Sequence, residues 1–163
     1  MTMTPRSLHC SNEMIGNETP DQLILASRLS EMERLPPWID ALATKFGIAD
    51  HARFAIQLCL EEVVSNVIRH GYADQDGHFI TIHCAEPQPR YVVFTVDDDA
   101  PPFNPLELDP LPAIGEQDLG AFGGQGIRLL RGFAATLEYE PKAGGNRLHI
   151  GFSNASSVIA KSL

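Results

Sequence analysis

Apolar residues recur along this chain at two spacings. In DHARFAIQLCLEEVVSNVIRHGY (50–72) the residues Ala52, Ile56, Cys59, Leu60, Val63 and Val67 recur at helical spacing. They form one apolar stripe, which predicts a core-facing helix. Asp50 reads as its N-cap and Gly71 as its stop. HFITIHCA (78–85) and RYVVFTVDD (90–98) alternate with period two, which predicts a strand pair turning at EPQP. QLILASRLS (22–30) reads as a first strand, and EMERLPPWIDALATKFGI (31–48) as a helix. The regular part of that helix starts at Pro36 and Pro37, and Gly47 ends it. Further on, GGQGIRLLRGFA (123–134) opens on glycines and turns helical, and ATLEYEP and GNRLHIGFS pair across KAGG. Residues 1–20 lack a period and read as a lead-in, while 154–163 read as a tail, leaving 21–153 as one domain. The order βααββ–loop–αββ predicts an α+β two-layer sandwich, a mostly antiparallel mixed sheet with helices on one face.

Composition narrows this picture. The chain has 163 residues, 44% hydrophobic and 20% charged, which suits one soluble domain with an ordinary core. Its three cysteines, Cys10, Cys59 and Cys84, are odd in number and lack CxxC spacing, so reduced thiols in a cytoplasmic setting are expected. No apolar run reaches the roughly 20 residues of a membrane span, and the first residues lack the apolar stretch of a signal peptide. A net charge of −9 argues against nucleic acid as a partner.

Three stretches carry candidate chemistry. In EEVVSNVIRH, Glu62, Asn66 and His70 stand at i, i+4 and i+8, on one stripe bordering the core face. An amide there either joins a polar network at the helix edge or offers a neutral oxygen to Mg²⁺. Glu62, one turn away, is placed to take a proton from a hydroxyl. In VDDDAPPFNP (96–105), a carboxylate at a strand end can accept a hydrogen bond from an exocyclic amine such as adenine N6. A calcium loop would need a later glycine and glutamate that are missing. GGQGIRLL brings glycines to a helix start, where N–H groups and the dipole favour an anion. It is neither a P-loop nor GxGxxG. His78, His83 and Cys84 could suggest a metal, yet alternation puts His83 and Cys84 on opposite faces. Trp38 and the phenylalanines read as core.

Taken in this order, the three stretches resemble the GHKL-type ATP-binding fold, and within it the anti-sigma-factor serine/threonine kinases of the RsbW and SpoIIAB kind. EEVVSNVIRHGY looks like their asparagine box, VDDDAPPFNP like the aspartate–glycine box, and GGQGIRLLRGFAATLEYEPKAGGN like the glycine box and closing hairpin. The resemblance spans roughly residues 20–153 and implies ATP and Mg²⁺ as cofactors. It implies that Asn66 is the Mg²⁺ ligand, Glu62 the base acting on the protein substrate, and Asp98 the acceptor of the adenine amine. Gly124 and Gly126 would contact phosphate, His70, Ala100, Phe103, Gly123 and Ile127 would complete the nucleotide site, and 105–122 would form the lid. Asp97 and Asp99 would project to solvent. The implied partners are a STAS-domain antagonist, which would be phosphorylated in a partner-switching pathway, a sigma factor, and a second copy of the chain.

Two departures bear on that reading. Ala100 stands where the family usually has glycine; at φ > 0 an alanine is strained, and its methyl would crowd the adenine. Between Arg90 and Arg128 there is no Lys or Arg, while seven acidic residues fall there. Magnesium, backbone N–H groups and Arg128 or Arg131 would have to neutralise the phosphates. The alternative is a partner-sequestering module without kinase activity.

Overall fold

The computed structural model describes residues 21–107 and 125–154. The lead-in 1–20, the tail 155–163, most of the expected lid, and Gly123 and Gly124 lie outside the described residues. Five strands form one sheet: β1 (Gln22–Ala26), β2 (Phe79–Gln88), β3 (Tyr91–Asp98), β4 (Thr136–Lys142) and β5 (Gly145–Ser153). Their order across the sheet is β1-β2-β3-β5-β4. Every pairing is antiparallel, so the expected mixed sheet is antiparallel throughout the described residues. β2–β3 and β4–β5 are joined by short turns, as antiparallel neighbours can be, while β1–β2 and β3–β5 pair across longer connections.

Three helices cover one face: α1 (Leu35–Phe46), α2 (Asp50–Asn66) and α3 (Gln125–Phe133). A 3₁₀ stretch, Leu29–Arg34, precedes α1. The regular helix therefore starts at Leu35 with proline in its first turn, where the missing N–H costs nothing. Gly47 closes α1 in the left-handed region at φ 61°. Asp50 is the first helical residue of α2 and not its cap; the N-cap is Ala49, extended at φ −69°, ψ 152°. Asp50 still carries negative charge into the first turn, where the helix dipole favours it. The first strand ends at Ala26, earlier than the apolar run, and the β2–β3 turn lies at Pro89–Arg90.

Strand alternation sorts side chains between the two sheet faces. Val92, Phe94 and Val96 of β3 point inward opposite Phe152, Ile150 and Leu148 of β5. Ile80, Ile82 and Cys84 continue that face across β2, and Ala52, Ile56, Cys59, Leu60 and Val63 of α2 pack over it. Trp38 sets its ring edge against Phe94 at 6.0 Å. Phe94 and Phe152 are core as expected, whereas Phe54, Phe79, Phe103 and Phe133 are exposed. Among the described residues no helix is long and apolar enough to cross a membrane.

The last turn of α2 widens into a π-helical turn, Val67–Gly71, which leads into a tight turn with Ala73 and Asp74 at positive φ. π-turns of this kind often mark functional sites. Here it lies between Asn66 and the turn that returns the chain to β2.

Candidate functional site

Between the end of α2, the ends of β3 and β5, and the start of α3 lies a cavity of about 320 Å³, a size ordinary for a small-ligand site. Asn66, His70, Asp98, Ala100, Phe103 and Ile127 line it, so six of the sequence-predicted site residues converge on one hollow. Val63, Val96, Leu130 and Leu148 give it apolar walls.

The three aspartates take three different environments. β3 turns Asp98 inward, one position beyond Val96 in the apolar alternation, so its carboxylate stands at the cavity end. Oδ1 accepts hydrogen bonds from the Ala100 N–H at 2.9 Å and from Asn146 Nδ2 at 2.8 Å. Oδ2 has no protein donor among the described residues. Burial pushes the Asp98 carboxyl above its ordinary value, with the charges of Asp99 and Asp97 adding to it and the two donors opposing.

Asp97 does not point to bare solvent as expected. Arg147 clasps it from Nε at 2.7 Å and Nη2 at 2.9 Å, and Lys142 Nζ adds a bond at 3.1 Å. Burial works to raise its carboxyl, but these cations outweigh that and hold it below the ordinary range. Asp99 is also partnered. His78 Nδ1 lies 3.2 Å from both its oxygens, and its N–H donates to the Tyr72 hydroxyl. A burial cost is outweighed there by Tyr72 and His78, so its carboxyl too lies low. Tyr72 stacks on His78 at 4.3 Å, and burial followed by the nearby acids pushes its phenol up.

Ala100 is buried and is absent from the positive-φ residues, so the expected backbone strain is not there. Its methyl faces Gly71: a Cβ placed on Gly71 would stand 2.9 Å from Ala100 Cβ. The methyl is packed against the π-turn, and Ala100 also lines the cavity.

Asn66 lines the cavity at the α2 side, whereas Glu62 and Gly126 are not among its lining residues; α2 presents Glu62 and Asn66, both half-buried, toward the first turn of α3. A Cβ on Gly126 would come within 2.7 Å of Glu62 Oε2 and 3.2 Å of Asn66 Nδ2, so a side chain there would displace the ends of these two side chains. Among the described residues neither the Glu62 carboxylate nor the Asn66 amide has a hydrogen-bond partner. The Glu62 charge, after burial itself, helps push the Cys59 thiol up to about 12, which leaves that thiol inert. Arg131, expected to help neutralise phosphate, donates to the Leu106 carbonyl at 3.0 Å. That bond ties α3 to the 3₁₀ turn Pro105–Glu107. Arg128 is exposed.

One residue of the site was missed from sequence. Asn146 is buried, opposite Asp98 in the β3–β5 register, and bonded to Asp98, Phe103 and Tyr139. A signal was present: Asn146 opens the inward alternation that continues with Leu148, Ile150 and Phe152, so an amide stands where the pattern calls for an apolar side chain.

A strand-end acid, Asp98, a helix asparagine, Asn66, and the start of α3, through Ile127, thus line one cavity. The profile of the histidine kinase-like ATPase domain matches residues 25–152. The chain belongs to that family. The serine/threonine-protein kinase BtrW of Bordetella bronchiseptica is 29% identical over 112 residues, covering 68% of this chain and 78% of BtrW. Among solved structures, the chain is similar to the histidine kinase domain of the Erythrobacter litoralis EL346 blue-light activated histidine kinase, with TM-score 0.44 and 18% identity. That match covers 77% of this chain and 60% of the other, so the chain spans less than two thirds of it. The Acinetobacter baumannii histidine kinase AdeS matches with TM-score 0.43 and 14% identity, over 86% of this chain and 70% of that one.

The donor set fits the cofactors this family implies. Asn66 offers a neutral oxygen atom of the kind magnesium accepts, with no protein partner among the described residues to compete. The free Asp98 oxygen suits an amino group. The first turn of α3 supplies N–H groups without intrahelical acceptors.

Proposed function

We propose that this histidine kinase-like ATPase domain is a protein serine/threonine kinase of the anti-sigma-factor type. Its substrate would be a serine or threonine hydroxyl of a STAS-domain antagonist in a partner-switching pathway, with a sigma factor as the alternate partner. The observation that carries this reading is the pairing of two ends of one cavity. Asp98 offers an open acceptor at one end and Asn66 lines the other, with Glu62 outside the lining but next to Asn66 at the α3 start. BtrW, a relative named as a serine/threonine kinase, supports the same class of reaction.

In this reading Asp98 Oδ2 accepts the adenine amine, and the apolar walls from Val63, Val96, Ile127 and Leu148 hold the ring. Asn66 would supply the magnesium ligand, and magnesium when bound neutralises phosphate charge. The α3 N–H groups, opened by Gly126, receive phosphate oxygens. Glu62 takes the proton from the substrate hydroxyl as that oxygen forms its bond to the γ-phosphorus, and ADP departs with the bridging oxygen's electrons. Ala100 raises no backbone objection to nucleotide binding.

The test is transfer of labelled phosphate from ATP to the antagonist with Mg²⁺. Glu62→Gln keeps the shape and loses the base, so ATP binding should stay while transfer falls by about 10²–10⁴. Wild-type transfer in that variant would remove Glu62 from the role. ATP binding without any transfer by the native chain would leave a partner-sequestering module.

A further inference from the structure

We propose that Asn146 is the positioning residue that joins recognition of the purine amine at Asp98 to the geometry of segment 100–103. The inference rests on reading the cavity as a nucleotide site and deepens it.

The orientation of the Asn146 amide is forced by its partners. The Phe103 N–H can only donate, so it fixes Oδ1 of Asn146 as its acceptor at 2.9 Å; the Tyr139 hydroxyl donates to the same oxygen at 2.8 Å. Nδ2 is then directed at the Asp98 carboxylate at 2.8 Å and at the carbonyls of Ala100 at 3.3 Å and Pro101 at 3.2 Å, all of which can only accept. One buried amide therefore binds the acid, the segment 100–103 and the β4 hairpin together.

Two consequences follow for the site. Asn146 and the Ala100 N–H both donate to Oδ1 of Asp98, which holds the carboxylate with Oδ2 toward the cavity as an acceptor. A base bearing an amine is then favoured over one bearing a carbonyl at the same position. Second, Pro101 and Pro102 have no N–H, so this segment is anchored through its carbonyls and the Phe103 N–H. Asn146 takes both kinds of contact. Phe103 lines the cavity while its ring is largely exposed, so its position depends on that anchor. A shift of Asp98 on meeting a base reaches segment 100–103 through the Asn146 side chain, alongside the direct bond from the Ala100 N–H.

The experiment compares ATP with inosine triphosphate, which has the same phosphate tail and a carbonyl in place of the amine. Affinities come from calorimetry, and Phe103 amide exchange is followed in the free protein. Asn146→Ala should lower ATP affinity about tenfold and inosine triphosphate affinity within about twofold, because a bond to a charged group is lost on the amine side alone. The Phe103 amide should exchange faster. Asn146→Asp keeps an acceptor for Phe103 and Tyr139 but replaces the amide donor with a second acid against Asp98, and the proton the two acids then share disturbs the open acceptor of Asp98. It should collapse the same nucleotide preference while Phe103 stays protected. Parallel loss of both nucleotides, or unchanged preference in both variants with a native-like melt, would overturn the inference alone. A native chain that binds neither nucleotide would overturn the nucleotide reading, and the inference with it.

Discussion

The two faces of the β3–β5 pair put neighbouring acids to opposite uses. On the outer face Asp97 lies opposite Arg147, and Thr95 Oγ1 bonds His149 Nδ1 at 2.9 Å. The chain supplies opposite charge to that acid and holds its carboxyl low. On the inner face Asp98 lies opposite Asn146, among neutral donors and apolar walls, and its carboxyl is raised. The first acid adds to stability in its ionised form and the second opposes it. A protein keeps a buried, unneutralised acid where a ligand will use it. The difference between the faces separates scaffold from site on one pair of strands.

The strongest way to break this comparison is Gly145→Ala. A Cβ there would collide with the Asp98 carbonyl and crowd Asp99 Cα, disturbing both faces at once. It should cost about 3 kcal/mol, the upper end of overpacking penalties, read by chemical denaturation. Native-like stability would show that the strands can separate there freely. Next, Asp98→Asn should weaken ATP binding about tenfold to a hundredfold while raising the melting temperature, since the variant no longer buries a charge. Loss of both affinity and stability would contradict the inner-face account.

Asp97→Asn should do the reverse. ATP affinity should stay, and stability should fall by about 1 kcal/mol, discounted because Arg147 and Lys142 are each about a third exposed. The smallest effect is in pH. With its carboxyl lowered, Asp97 stabilises the fold above the ordinary carboxylate range near pH ~4, and this is lost as acid protonates it. Asp98, with its carboxyl raised, costs stability as pH rises through its folded value. The deficit of Asp97→Asn and the gain of Asp98→Asn should therefore both shrink on acidification, one from each side. Melts between neutral pH and pH ~3 would check the two signs.

Most of the fold was legible because it rests on local pattern. The stripe on α2, the alternation of β2, β3 and β5, and Gly47 as a helix stop are all written within a few residues. That a strand-end acid stood in VDDDAPPFNP was legible from position, and Asp98 was singled out among the three by the resemblance of that stretch to the aspartate–glycine box. The partners of Asp97 were not, because Lys142 and Arg147 reach it only through the register of β3 on β5, some 45–50 residues away along the chain. The π-turn at Val67–Gly71 leaves no mark in a helical pattern that simply continues. Asn146 was written in the sequence as a break in an apolar alternation, and its meaning depends on Asp98 being its opposite number. The Ala100 expectation failed because it assumed a backbone angle that the turn does not adopt.

Gly71 and Ala100 meet across a gap with room for a single methyl group. The helix end and the strand-end turn thus share one small allowance of volume, and this chain places it on the strand side. An exchange of the two residues would conserve that volume, whereas alanine at both positions would wedge the π-turn away from the sheet. The gap fixes how many methyl groups stand there, and the choice of residue decides which side carries the one.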